Sequence, residues 1–229
     1  MSESPRDVRG LARSLKRHVE GWAAWGLRDL PAPTTVGAPS ARTEALAELE
    51  AEVVACRRCP LYRTRTHHVF SDGTPEAKLV FVGEAPGREE DLQGKPFVGA
   101  AGQLLTKMIE AIGLRRESVY ICNVLKDRPP GNRTPLPEEV EACRPFLQRQ
   151  LMLVQPKVIC ALGAVAAKAM LGPSVAITKI RGVVCDYEGV PLVPTFHPAY
   201  LLRNPDAKRL VWRDLKTVKR LLEERQESG

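Results

Sequence analysis

Four runs rich in apolar and β-branched residues are separated by stretches with helical periodicity. This alternation constrains the chain more than any other feature. The runs are "KLVFVGE" (78–84), "SVYICNV" (118–124), "KVICALG" (157–163) and "VPLVPTF" (190–196). A strand that is apolar on successive residues is buried on both faces, and a helix between two such strands lets the chain cross over and return parallel. Helical patterns fall at 101–112, 137–153 and 164–171, and a last one at about 207–224 closes the domain. The expectation is an α/β fold in three layers, α/β/α, around a central, mainly parallel four-stranded sheet. "TKIRGVVCDYEG", ahead of the last strand, reads as a hairpin edge.

Upstream of the alternating region the composition changes. Residues 1–28 form an N-terminal extension in which Val8, Leu11, Leu15, Val19 and Trp22 recur at helical spacing. Residues 29–43 are rich in Pro, Ala, Gly and Thr and read as a linker, so the main domain is expected at 44–229. The chain has 229 residues, 44 % of them apolar, which is enough for a core. Lys and Arg number 34 against 27 Asp and Glu, and the net charge of +7 suits a polyanionic partner without requiring one. No apolar run is long enough to span a bilayer, and the charged N-terminus has no apolar signal core. The expectation is a monomer in the cytoplasm. Six cysteines in a reducing compartment fit metal ligands or buried thiols better than a disulfide framework.

In a sheet of this kind ligands gather beyond the carboxyl ends of the strands. Those ends lie at Gly83, Asn123, Gly163 and Phe196. After Gly83 the sequence "GEAPG" makes a tight turn whose N–H groups can face an anion or a carbonyl, and Glu89, Glu90 and Asp91 follow. Phe97, flanked by Pro96 and Gly99, suits an aromatic platform for a flat ligand. Asn123 carries an amide that can pair with the edge of a base, and Asn132 offers a second. Lys126, Arg128 and Arg133, beside Pro129, Pro130 and Gly131, suit phosphate contacts. His197 is held in a rigid turn by Pro198. The apolar tip 199–202, followed by Arg203, has the composition of a loop that wedges into a duplex. Taken singly, each also fits a structural role: a plain turn, a solvated acidic helix start, a core phenylalanine, a satisfied histidine.

Taken in order, the motifs GEAPG-x-EED-x-x-G-x-PFVG-x-AG-x-LL, Asn-Val-x-Lys with RPPGNR-x-P, and HPAYLLR resemble the family 4 uracil-DNA glycosylases. The resemblance covers 44–229. It implies an enzyme that flips uracil out of DNA, reads it in a pocket and replaces it with water at the sugar C1′. By resemblance the catalytic set is Glu84, Glu90, Asn132 and His197. His197 steadies negative charge on the departing base through its O2, the acids face a cationic sugar, and Asn132 holds the water. The substrate-binding set is Gly83, Ala85, Phe97, Asn123 and Arg203, with Phe97 stacking on the base and Asn123 reading its polar edge. Ala85 stands where other glycosylase families carry an aspartate, which suits a dissociative reaction with weakly activated water.

The resemblance also implies a [4Fe–4S] cluster of structural role, pinning the N-terminal helix and the Arg128 loop near DNA. Cys56 and Cys59, in "CRRCP", have metal-ligand spacing, and Cys143, in "EACRPFL", matches another ligand. The fourth position departs from the family: its Lys-Cys-Arg-Pro-Pro reads "KDRPP" here, so Asp127 stands in place of a thiol. Cys122, His67 and His68 are substitutes to weigh, zinc or no metal stays open, and Cys160 and Cys185 read as buried thiols. Two other functions remain to be separated from an enzyme acting on uracil-containing DNA. One is a uracil-DNA binding protein that traps its substrate, for which "RPPGNRTP" lacks a histidine. The other is a non-catalytic interaction module that keeps the fold.

Overall fold

A computed structural model describes residues 40–227. They belong to the second of two units into which the chain divides, Met1–Pro39 and Ser40–Gly229. The helical pattern over 1–28 and most of the linker at 29–43 lie outside the described residues. The first described helix, α1 (Ala41–Ala55), starts inside the stretch read as linker. Ser40 caps it, its hydroxyl accepting from the Thr43 N–H at 3.2 Å. Leu46, Leu49 and Val53 recur on one face and are buried.

The sheet has the order β1-β3-β2-β4-β6-β5, with strands β1 (Ser71–Gly73), β2 (Leu79–Gly83), β3 (Tyr120–Asn123), β4 (Val158–Leu162), β5 (Cys185–Tyr187) and β6 (Val190–Thr195). The four expected strands are β2, β3, β4 and β6, and they run parallel. Two short antiparallel strands make six instead of four. The expected hairpin supplies β5 at one edge, and β1 pairs with β3 at the other. Ser-Asp-Gly carries no strand signal of its own. β1 exists because it pairs with Tyr120–Cys122 and because Gly73 (φ +96°) passes so close that a Cβ would stand 1.8 Å from the Val119 carbonyl oxygen.

The crossovers are α2 (Arg88–Gln93) and α3 (Ala100–Ala111) after β2, α4 (Pro137–Val154) after β3, and α5 (Gly163–Leu171) with α6 (Ile177–Ile180) after β4; α7 (Pro198–Arg203) and α8 (Lys208–Glu227) follow β6. Successive strand residues point to opposite faces. Val80, Val82, Ile159 and Ala161 therefore meet α1, α4 and α5 in one core, while Leu79, Phe81, Cys160 and Leu162 meet α3 and α8 in the other. This is the expected three-layer arrangement. Among the described residues no helix is long and apolar enough to cross a membrane.

Leu49 is fully buried between α1 and the sheet, whereas Met152 on α4 is 67 % exposed. In urea melts Leu49→Ala should cost about 2–5 kcal/mol and Met152→Ala less than about 0.5 kcal/mol. Equal effects would show that α1 is not part of the cooperative core.

Candidate active site

Because β2, β3, β4 and β6 are parallel, the loops leaving their carboxyl ends open on one edge of the sheet. Those after β2, β3 and β6 line a cavity of about 540 Å³, a size that holds a small organic ligand, while the end of β4 contributes no lining residue. Glu84, Ala85, Glu90, Phe97, Asn123, Asn132, His197 and Arg203 all line it. Gly83 lies beneath that wall: a Cβ there would come within 2.3 Å of Asn123 Oδ1 and 2.5 Å of Phe97 Cζ. Only glycine lets the amide and the ring approach the strand end from both sides.

The turn after β2 is organised by Glu90. Its Oε2 accepts from the Gly87 N–H at 3.1 Å, and its Oε1 from the N–H groups of Val98 and Gly99 at 3.0 and 2.9 Å. One carboxylate thus ties the Gly87 turn to the loop that carries Phe97. Phe97 itself has φ +54°, the left-handed region that a bulky side chain rarely occupies. Gly102 makes this possible, since a Cβ there would lie 1.8 Å from the Phe97 carbonyl oxygen. Asp91, from the same acidic run, does not line the cavity. It is buried and accepts from the Thr66 N–H at 2.8 Å. Glu89 is exposed at the rim. Glu84 is half-buried, has no polar partner in the described protein, and has its carboxyl pushed above the usual range by burial.

Asn123 ends β3 and is buried, and its Oδ1 has no hydrogen-bond partner among the described residues. Buried amide oxygens are nearly always paired, so this acceptor points to a ligand. Lys126 is not a phosphate contact. It is 1 % exposed, with its Nζ donating to the Asn123 carbonyl at 2.6 Å, because the chain turns inward after β3 before it surfaces at Arg128. Arg133 is exposed but pairs with the buried Glu139 at 2.6 Å. Asn132 stands at the rim with φ +56°, and its Oδ1 accepts from Arg128 Nε at 2.7 Å.

His197 follows β6 and caps α7, its Nδ1 accepting from the Ala199 N–H at 3.2 Å. The ring hydrogen therefore sits on Nε2. Burial lowers its pKa to about 4, outweighing the raising effect of Glu90, while Arg203 adds to the lowering. The ring is neutral near pH 7 and donates without carrying charge. It lies 5.5 Å from the Phe97 ring, centroid to centroid. Gly163 lets it in, since a Cβ there would lie 2.9 Å from His197 Cβ. Gly163 and Gly102 had no assigned role in the sequence reading, and a glycine at a strand end was the only available signal for the first. The expected apolar loop at 199–202 is the helix α7, with Tyr200 and Leu202 exposed and Leu201 buried.

Cys56, Cys59, Asp127 and Cys143 line a second, much smaller cavity between α1, α4 and the segment after β3. None of the six cysteines is joined in a disulfide. Burial pushes Cys143 up to about 11 and raises Cys59 as well. Cys143 Sγ accepts from the Lys126 N–H at 3.4 Å. Asp127 is held by Arg65 at 2.8 Å, and the same guanidinium also donates to the Val53 carbonyl at the end of α1. Among the described residues no three His, Cys or acidic groups are gathered to hold a single metal ion. Cys122 is buried in the sheet, and His67 and His68 are bonded to the Asp91 carbonyl and to Glu50; none of the three lines this cavity. Cys160 is buried as expected, whereas Cys185 is half-exposed because β5 is an edge strand.

Residues 70–216 match the family model of the uracil DNA glycosylase superfamily. The chain is 50 % identical to the type-4 uracil-DNA glycosylase of Thermotoga maritima, over 77 % of this chain and 94 % of that protein. It is 45 % identical to the type-4 enzyme of Archaeoglobus fulgidus, over 80 % and 96 %. It is 43 % identical to that of Sulfurisphaera tokodaii, over 78 % and 85 %. The strand-end cavity with its aromatic, amide and imidazole walls therefore sits in a chain that belongs to the uracil DNA glycosylase superfamily, among its type-4 members.

Proposed function

We propose that this chain excises uracil from DNA by hydrolysing the N-glycosidic bond and leaves an abasic site. We assign the work to the domain expected at 44–229, which α1 extends back to Ala41, with the extension 1–28 and the shortened linker ahead of it, in the cytoplasm, and as a monomer because the described residues of one chain supply every group of the cavity. The observation that carries the reading is the unpartnered, buried Oδ1 of Asn123 beside the rings of Phe97 and His197. Flipping a base costs a few kcal/mol of stacking, which a pocket must return. Phe97 returns part of it by stacking. Asn123 accepts from the uracil N3–H and donates to O4, a pairing that cytosine, with its N3 lone pair and amino group, does not offer in the same amide orientation.

In the chemical step the C1′–N1 bond breaks and its electron pair stays on the base, spread towards O2 and O4. Nε2–H of the neutral His197 donates to O2 as that charge develops. Glu84 faces the cationic sugar, and the water that bonds to C1′ gives up its proton towards that carboxylate. Asn132 holds the water, its Oδ1 already taken by Arg128. Glu90 acts by keeping Phe97 in place. Gly83 and Ala85 shape the floor, Arg203 meets a phosphate at the rim, and the exposed Tyr200 and Leu202 fill the gap left by the flipped base.

We further propose that Cys56, Cys59 and Cys143, with Asp127 in the fourth position, hold a [4Fe–4S] cluster. The support is that the four line one cavity and that a backbone N–H already donates to Cys143. The cluster would supply a structural crosslink between the end of α1, α4 and the segment leading to Asn132.

Incubation with a uracil-containing oligonucleotide, then alkali, should break the strand at uracil on a denaturing gel; a persistent protein–DNA band would instead mark trapping, and neither would mark an interaction module. His197→Ala should lower kcat by about 10²–10³ and leave KM nearly unchanged. Glu84→Gln should lower kcat by about 10²–10⁴ at neutral pH. Since burial raises the Glu84 pKa and the ionised form is the working one, activity of the unaltered chain should fall on acidification with a midpoint above 4.5, and the Gln variant should lack that limb. Iron, not zinc, should be counted in the purified chain together with broad visible absorbance. Cys143→Ser should lose most of the iron, and Asp127→Ala should release it faster to a chelator. Zinc, or no metal, would overturn the cluster.

A further inference from the structure

Lys126 is a buried amino group that the reaction above does not use. It is 1 % exposed and stands between the base cavity and the thiol cavity. Its Nζ has one hydrogen-bond acceptor, the Asn123 carbonyl at 2.6 Å, and no carboxylate among the described residues pairs with it. Its own N–H reaches Cys143 Sγ. Burying an amine on a single carbonyl is unfavourable, and a leucine or methionine of similar length would fill the space at less cost. The group therefore matters for what it holds, which is the peptide of Asn123.

That peptide is the last of β3. Its N–H side is held by the sheet, with the Val124 N–H donating to the Gly83 carbonyl at 3.0 Å, and the pairing runs one step further, from the Leu125 N–H to the Glu84 carbonyl at 3.1 Å. Lys126 Nζ holds the other side of the same peptide, its carbonyl, so the two bonds together fix the tilt of the peptide plane. The Asn123 Cα joins that peptide to the side chain, so a tilt of the peptide that shifts the Cα carries the amide with it. Hydrogen bonds weaken steeply off line, and small misplacements in a site cost up to about 100-fold.

We infer that Lys126 is a positioning residue for base recognition: by fixing the Asn123 peptide it fixes the direction in which the Asn123 amide meets the pyrimidine edge. The inference rests on the uracil reading. Uracil and cytosine present opposite donor and acceptor patterns at N3 and C4. An amide locked in one orientation accepts one pattern, and a loosened amide is less selective and binds less tightly.

The test is a double-mutant cycle on the full chain, with Lys126→Met, Asn123→Ala and both together. The readouts are single-turnover kcat/KM on uracil oligonucleotide, excision from the matching cytosine oligonucleotide, and iron per chain. Lys126→Met keeps the volume and removes the donor. It should cut kcat/KM on uracil about tenfold, mainly through KM, narrow the preference over cytosine, and leave iron unchanged. In the Asn123→Ala background the same substitution should have no further effect, because the amide it aims is gone. An unchanged kcat/KM, or an equal loss in both backgrounds, overturns the inference; equal loss together with lost iron assigns Lys126 to the thiol cavity instead. If Lys126→Met does not fold, Lys126→Gln, whose amide is too short to reach the same carbonyl, is read in the same way. An unaltered chain that leaves uracil in place overturns the function and this inference together, whereas an active chain with an additive cycle overturns this inference alone.

Discussion

Three backbone N–H groups, those of Gly87, Val98 and Gly99, converge on the single carboxylate of Glu90. The site depends on this convergence. The loop after β2 leaves the sheet as a glycine turn, runs through a six-residue helix and returns, and without a crosslink its two ends are joined only through the chain. The crosslink lets Phe97 keep a left-handed backbone that costs on the order of 1–3 kcal/mol, and it lays the ring against Gly83 and Asn123. An acid that the family resemblance places in the catalytic set thus also ties an aromatic wall in place.

Charge in the cavity follows from burial. His197 is kept neutral, with its Nδ1 occupied by the Ala199 N–H, so it can donate to a forming anion without first attracting one. The Glu84 carboxylate has no partner among the described residues and stays available to a cation. The positive side chains around the site divide by depth: Arg203 and Arg88 are exposed at the rim, Arg133 is exposed but paired with Glu139, and Lys126 is turned inward on the Asn123 peptide. The segment from Asn123 to Asn132 therefore faces two ways, with amides towards the base cavity and Asp127 towards the thiols.

Much of this was legible beforehand. The four apolar runs located β2, β3, β4 and β6 to within two residues, because strands buried on both faces leave an unbroken hydrophobic signature. The segments leaving β2, β3 and β6 do share a cavity, because parallel strands place those ends on one side, whereas the end of β4 only makes room for His197 through Gly163. What escaped was whatever depends on a neighbour. β1 is three polar or small residues that become a strand only by pairing with β3. The start of α1 at Ala41 was masked by linker-like composition. Lys126 looked like its basic neighbours, since burial leaves no trace in a loop sequence.

The chain's sequence alone determined the layered parallel architecture and the residue types brought to the strand ends, because hydrophobic periodicity and glycine punctuation are local properties. Only the tertiary structure decided which of those residues are free to act. Whether a carboxylate, an amide or an amine has a partner depends on atoms distant along the chain: Glu90 and Lys126 were claimed by backbone groups, Asp127 Oδ1 by Arg65, and among the described residues Asn123 Oδ1 and the Glu84 carboxylate were left without a partner.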